Sequence, residues 1–320
     1  MPVVAPGSEI VVRLQARADA ALAPRLTLKR PLEVVRVALG REPREFLSML
    51  SLLFPLCGTA HAVAGLRALE AAAGLVPAAA HEDARRLVCL ADAVAAHAWR
   101  SCFDWDALLG KPPEPLPVAT ARRAVDGLAR ALYPDGDLLA PGGGRLAPGA
   151  GFSAHWTPVF RAIAVGLGLE ARLAELCRAL PAALAGADPA WVQRIGGWFA
   201  DAAAQANADA GALLAALPSF DGALATPGAS RASLPDGSGD GWVSTARGEL
   251  RYTVELRAGR VVDSTLQAPI DRVFGEGGPA SRWLAMLDRA ERPEQAVRWL
   301  LMALDPCAPL RLEEPETADA

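Results

Sequence analysis

The chain has no run of roughly 18 consecutive apolar residues, the length at which a membrane-spanning helix becomes the natural reading, although 52% of its 320 residues are hydrophobic. No membrane association is expected. Positive charge is not in excess either: 32 Lys and Arg stand against 36 Asp and Glu, a net charge of −4. Without a basic surface to neutralise a row of phosphates, a nucleic-acid partner is not expected. The opening "MPVVAPGSEIVVRLQA" lacks the basic head, apolar stretch and small-residue cleavage site of an export signal, so the expected location is the cytoplasm. Tight Cys-x-x-Cys spacing is absent as well. Cys57, Cys89, Cys102, Cys177 and Cys307 are odd in number and irregularly spaced, which argues against a disulfide framework and leaves reduced thiols available to a metal.

What is present is mainly helix. "REFLSMLSLLF", "AHAVAGLRALEAAAG" and "EDARRLVCLADAVAAHAW" each carry apolar residues three and four apart, and Gly74 with Pro77 stops the second. Another Ala/Leu-rich helical block covers about 156–217, after which "ATPGASRASLPDGSGDG" reads as mobile surface. Strand patterns occur at both ends. "SEIVVRLQARADAA" alternates apolar and polar residues, and in "ELRYTVELRAGRVVDSTLQ" Leu250, Tyr252, Val254 and Leu256 alternate with polar residues before "AG" turns the chain into a hairpin. The expected class is α+β, mostly α, in one domain over 1–320. Its parts are a β-containing segment over 1–28, a helical core over 29–217 with a Gly/Pro loop near 134–151, and a hairpin, final helix and Asp-Pro-Cys turn over 241–320.

Cys57 and His61 stand four apart in "FPLCGTAHAVAGLRALE", a spacing that brings sulfur and imidazole to one face if the turn is helical. Thr59 is expected to cap this helix. Cys57 would then lie at the helix N-terminus, where free amides and the dipole lower a thiol's pKa. The pair fits a hydrolase nucleophile and base, half a zinc site, or packing. Cys89, Cys102 and Cys177 read as packing, since free cysteine is among the most buried residue types. Near the other end, Asp305 and Pro306 make a rigid turn before Cys307, the aspartate accepting nearby backbone N–H groups. Arg247, in "STARGEL", reads alone as an ordinary solvated arginine.

Taken in order, these stretches resemble the large subunit of nickel–iron hydrogenases. That family has R-x-C-G-x-C-x-x-x-H followed by H-A-x-A-x-x-R-A-x-E, a middle E-A-P-R-G, and a terminal D-P-C-x-x-C-x-x-H. "HAVAGLRALE" matches the first tail at every specified position, "STARGEL" matches the middle at Arg247 and Gly248, and "LDPCAPL" matches the start of the last. The resemblance is collinear over nearly the whole chain and implies a shortened hydrogenase large-subunit-like fold. Its departures are specific. Anchored on His61, Cys57 takes the place of the second N-terminal cysteine and the first falls on Phe54; another register equates Cys57 with the first. Cys307 matches the first C-terminal cysteine, Leu310 stands for the second and Glu313 for the terminal histidine.

In the family, four thiolates hold nickel and iron, and the iron carries cyanide and carbon monoxide. One thiolate from each pair remains here, too few for the nickel site. An iron with three diatomic ligands would need only two more donors to become five-coordinate. The resemblance implies Cys57 and Cys307 as iron ligands, Arg247 and Asp305 beside the diatomic ligands, His61 supporting the cysteine loop, and Asp92 as a further aspartate of that canopy. The proton-transfer glutamate of the family's R-I-E-G-H stretch has no counterpart, and the peptide cleaved at maturation is expected to be missing, since the sequence ends seven residues after Glu313. Keeping the iron half alone is similar to the HupK/HoxV type of hydrogenase expression/formation protein. The implied role is non-catalytic: a scaffold for Fe(CN)2(CO), without nickel, with a HypC-like chaperone and the immature large subunit as partners. Alternatives are a degenerate hydrogenase-like or Cys/His enzyme, and a metal-free structural relative of the related respiratory complex I subunit.

Overall fold

The computed structural model describes residues 9–16, 22–29, 33–221, 234–287 and 290–313. Strands β1 (Glu9–Ala16) and β2 (Leu22–Lys29) pair antiparallel in the segment where alternation predicts them. The helical part follows as α1 (Glu33–Arg36), α2 (Pro43–Leu53), α3 (Gly58–Ala72) and α4 (Ala79–Trp99). A π-helical segment, Arg100–Trp105, continues α4 into the short α5 (Asp106–Leu108), and α6 (Pro115–Leu132) leads to the predicted Gly/Pro loop. Beyond the loop lie α7 (Phe152–Gly166), α8 (Leu169–Ala183) and α9 (Pro189–Ala216). Part of the stretch read as mobile surface, residues 225–233, falls outside the described residues.

The rest of that stretch corrects the sequence reading. Gly237–Thr245 forms a strand, β3, antiparallel to β4 (Gly248–Arg257), which pairs in turn with β5 (Arg260–Gln267). "GSGDGWVST" hides its strand character because its glycines answer a packing need. A Cβ on Gly239 would stand 2.2 Å from the Ala72 amide nitrogen, and one on Gly241 would stand 2.2 Å from that of Ala68. The strand thus lies against the backbone of α3, whose Ala64, Ala68 and Ala72 supply the matching small side chains. On β4 the alternation holds as read: Leu250, Tyr252, Val254 and Leu256 are buried.

Helices α10 (Pro269–Phe274), α11 (Pro279–Leu284) and α12 (Pro293–Ala303) precede the last strand, β6 (Leu310–Glu313). This strand pairs in parallel with β1, Ile10 opposite Leu310, so the C-terminal strand is stitched to the N-terminal one. A single apolar cluster links the helical core to both sheets. Among the described residues no helix is long and apolar enough to cross a membrane.

Candidate functional site

The two distant cysteines meet in one cavity. Cys57 is the N-cap residue of α3, and Cys307 follows the Asp305-Pro306 turn between α12 and β6. Both are half-buried and line one pocket together with Phe54, His61, Asp92 and Arg247, among others. About 50 Å³ is open there to the centre of a water-sized sphere, several times the 10–15 Å³ or so that one water needs. The cavity therefore admits a group of several heavy atoms.

Local structure explains how Cys57 is seated. The C-terminal end of α2 packs so closely on the start of α3 that a Cβ on Gly58 would lie 2.4 Å from the Ser51 carbonyl oxygen. The residue beside Cys57 must be glycine for the two helices to touch there. Thr59 is not the cap: the cap lies two residues earlier, at Cys57, whose own side chain makes no capping hydrogen bond. The expected acidity of this thiol is also overturned. Burial pushes the Cys57 thiol up to about 12, and the negative charges of Cys307 and Asp92 add to the rise against Arg247 and Arg122. Loss of water around the sulfur outweighs the helix dipole, a surface-scale effect.

His61 faces the same space. Its ring stacks on Phe54 at 3.7 Å between centroids, and its Nδ1 shares a 2.7 Å hydrogen bond with the Tyr252 hydroxyl. The His61 amide donates to the Cys57 carbonyl at 3.0 Å. The imidazole thus braces the Phe54–Cys57 loop from the β4 side. Asp92, on α4, accepts from the Ala60 amide at 3.3 Å and from Arg122 Nη1 at 2.6 Å. Burial still raises its pKa despite these partners.

Arg247 is not a solvated arginine. It sits in the two-residue turn between β3 and β4, and only 9% of its side chain is exposed. Its Nε lies 2.9 Å from Asp305 Oδ2 and donates to the Asp305 carbonyl at 3.2 Å, while its Nη2 is buried with no hydrogen-bond partner among the described residues. Asp305, in the left-handed region at φ 54°, turns the chain into Pro306. Its carboxylate meets Arg247 and Arg100 by charge instead of accepting the backbone N–H groups expected of it. Asp305 is not among the residues lining the cavity; it stands behind Arg247 and fixes it.

Several contributors carry no signal in the sequence. Arg122, one arginine among many on a helix, donates from Nη2 to the Leu56 carbonyl at 2.6 Å and so ties the cysteine loop to Asp92. Arg100 opens the π-helical segment and pairs with Asp305. Asp104, in the same segment, is pushed up to about 6 by burial, against the pull of Arg247 and Arg100. Cys89, read as packing, is buried but forms part of the cavity wall. Cys102 is buried as read, whereas Cys177 is exposed on α8, where the packing reading fails. No cluster of three or more His, Cys, Asp or Glu residues disposed to hold a metal occurs among the described residues.

The positions at which the family pattern has its other ligands are apolar or engaged elsewhere. Phe54 lines the cavity, Leu310 lies in β6 on an adjoining groove, and Glu313 is ion-paired with Arg13 and Arg311.

No protein-family model matches the chain. Among solved structures it is similar to the Ni-Fe-Se hydrogenase of D. vulgaris Hildenborough, with a TM-score of 0.68 at 12% identity over 91% of this chain and 94% of that one. An NAD+-reducing NiFe hydrogenase gives a TM-score of 0.62 at 14% identity, over 91% and 93% of the two chains. At such identities the likeness shows the fold alone, and it is the hydrogenase large-subunit fold. Closer in sequence are two hydrogenase expression/formation proteins named HupK. The one from Azotobacter vinelandii is 34% identical over 93% of this chain and 95% of its own length, and the one from Bradyrhizobium diazoefficiens is 30% identical over 95% and 94%. With relatives matched end to end at this identity, the chain belongs to the HupK family of hydrogenase expression/formation proteins.

Proposed function

We propose that the protein is a non-catalytic factor in the formation of nickel–iron hydrogenase that carries Fe(CN)2(CO) on Cys57 and Cys307 and releases it to the immature large subunit. The observation that carries this reading is the convergence of one cysteine from each end of the chain on one cavity, beside a buried guanidinium with an unpartnered Nη2. Soft thiolates suit iron. The Arg247 Nη2 can donate to an anionic cyanide, a charge-assisted hydrogen bond strengthened by exclusion of water. His61 and Arg122 hold the Cys57 loop, and Asp305 with Arg100 holds Arg247, so both sulfurs and the donor are set before the cargo arrives. With Phe54 and Leu310 at the other two cysteine positions, the donor set is too small for nickel.

Two protein ligands instead of four favour release, as a carrier requires. The role belongs to the cytoplasm, where thiols stay reduced, and a HypC-like chaperone is the partner from which the unit would come. Protein purified without oxygen from cells making the hydrogenase maturation machinery is expected to show infrared bands of metal-bound cyanide and carbon monoxide. Cys57→Ala and Cys307→Ala are each expected to remove them. Bands that persist in both variants, or intact protein without bands, would overturn the proposal.

A further inference from the structure

The sheet that stitches the two ends of the chain together stops at β6. Its strand order is β2-β1-β6, so among the described strands β6 pairs with β1 alone and its other edge is open. The pairing fixes which backbone groups face outward. The Ile10 amide donates to the Pro309 carbonyl at 2.8 Å, and in a parallel pair alternate residues of a strand turn both backbone groups to the neighbour. Arg311 therefore faces β1, while the N–H and C=O of Leu310 and Leu312 point away from it. Such an edge is a template for another extended chain.

Two further features select the side chains of that chain. Leu310 lines the groove of about 440 Å³ that Trp99, Met302 and Cys307 also line, so one face of an added strand would meet largely apolar surface. On the other face of the sheet the register gathers Glu9, Arg13, Arg25, Lys29, Arg311 and Glu313. Two carboxylates there answer four cations, and all four cations are exposed. This excess is local, since the whole chain carries −4. A segment with apolar residues on one side and acidic residues on the other complements both faces.

We propose that the open edge of β6 receives an extended segment of the immature hydrogenase large subunit, apolar toward the groove and acidic toward the cationic face. The inference rests on the acceptor named in the reading above, not on the iron. Hydrogen bonds to the backbone of Leu310 and Leu312 would set the register of the segment. Cys307 lies three residues before Leu310 on the same groove, so a segment aligned on β6 brings the acceptor chain beside that sulfur.

Hydrogen exchange of the metal-free full chain, with fragmentation to single residues, tests this with the purified immature large subunit as the added partner. The Leu310 and Leu312 amides are expected to exchange fast in the dilute chain and to slow about tenfold or more under saturating partner, while that of Arg311, already turned to β1, changes little. Leu312→Pro removes an outward amide and no bond to β1. It is expected to weaken partner binding about tenfold. Should that variant not fold, Arg25→Glu with Lys29→Glu leaves the core untouched and is expected to weaken binding by a similar factor at low salt and by less at high salt. Unchanged exchange on adding the partner, or unchanged affinity in the variants, would overturn the inference. So would slow exchange of Leu310 and Leu312 in the chain alone. If that protection is lost on removing residues 314–320, the chain's own acidic tail fills the edge; if it grows with concentration, a second copy does. The infrared bands judge the carrier reading apart from this: bands absent with the edge protected defeat the iron cargo and leave the docking, and bands present with the edge unprotected do the reverse.

Discussion

Gly239→Ala is expected to destabilise the protein by about 3 kcal/mol or more, toward the upper end of what overpacking a close contact costs. The new Cβ would lie 2.2 Å from the Ala72 amide nitrogen and 2.6 Å from the Ala68 carbonyl oxygen. Backbone cannot yield as a flexible side chain does, so β3 must lift from α3. Lifting it also pulls on the Arg67 Nη1 hydrogen bond to the Trp242 carbonyl, 2.7 Å long, and on the turn that carries Arg247. A urea titration followed by circular dichroism measures the loss. Gly197, inside α9, is the control, because a Cβ added there would meet nothing within 4 Å. Gly197→Ala is expected to stabilise by about 0.5–1 kcal/mol, since alanine replaces the poorer helix former.

The other large effect lies under the Gly/Pro loop. Arg85 holds Glu70 with two parallel hydrogen bonds of 2.8 Å, and the side chains are 0% and 3% exposed. Glu70 also accepts the Gly142 amide at 2.7 Å, so this pair anchors the loop between α6 and α7. Arg85→Met is expected to cost about 3–5 kcal/mol, because it strands a buried carboxylate without its cation. The double variant Glu70→Met with Arg85→Met is expected to recover part of that loss, since two apolar side chains leave no buried charge behind. Denaturation midpoints of the single and double variants decide it. Recovery would show that the cost lies in the orphaned charge and not in lost packing volume.

Glu70 also shows what the sequence conveyed and what it concealed. "HAVAGLRALE" carries the family resemblance, yet most of its side chains build the frame of the site. Ala64 and Ala68 admit β3, Arg67 binds its backbone, Glu70 anchors a loop, and His61 alone of the specified residues lines the cavity. The helices and the β4–β5 hairpin were legible because their apolar residues follow the period of the element. β3 was not, because its glycines meet a neighbouring backbone that no local pattern records. The acidity expected of Cys57 failed for a similar reason: the helix terminus is visible in sequence, whereas the burial that dominates it is a tertiary property. Arg122 and Arg100 act through partners 30 or more residues away for Arg122 and at the far end of the chain for Arg100, so spacing could not single them out. Cys57, Cys307 and Arg247 could be named only because the resemblance linked stretches that are far apart.

X-ray absorption at the iron and nickel edges of the anaerobically loaded protein tests the iron-carrier assignment most directly. Two sulfur neighbours per iron at about 2.3 Å, a length taken from zinc–thiolate bonds, with light diatomic ligands filling the remaining positions and no stoichiometric nickel, is the expected result. Iron without sulfur neighbours, or a loaded protein containing stoichiometric nickel, would contradict it.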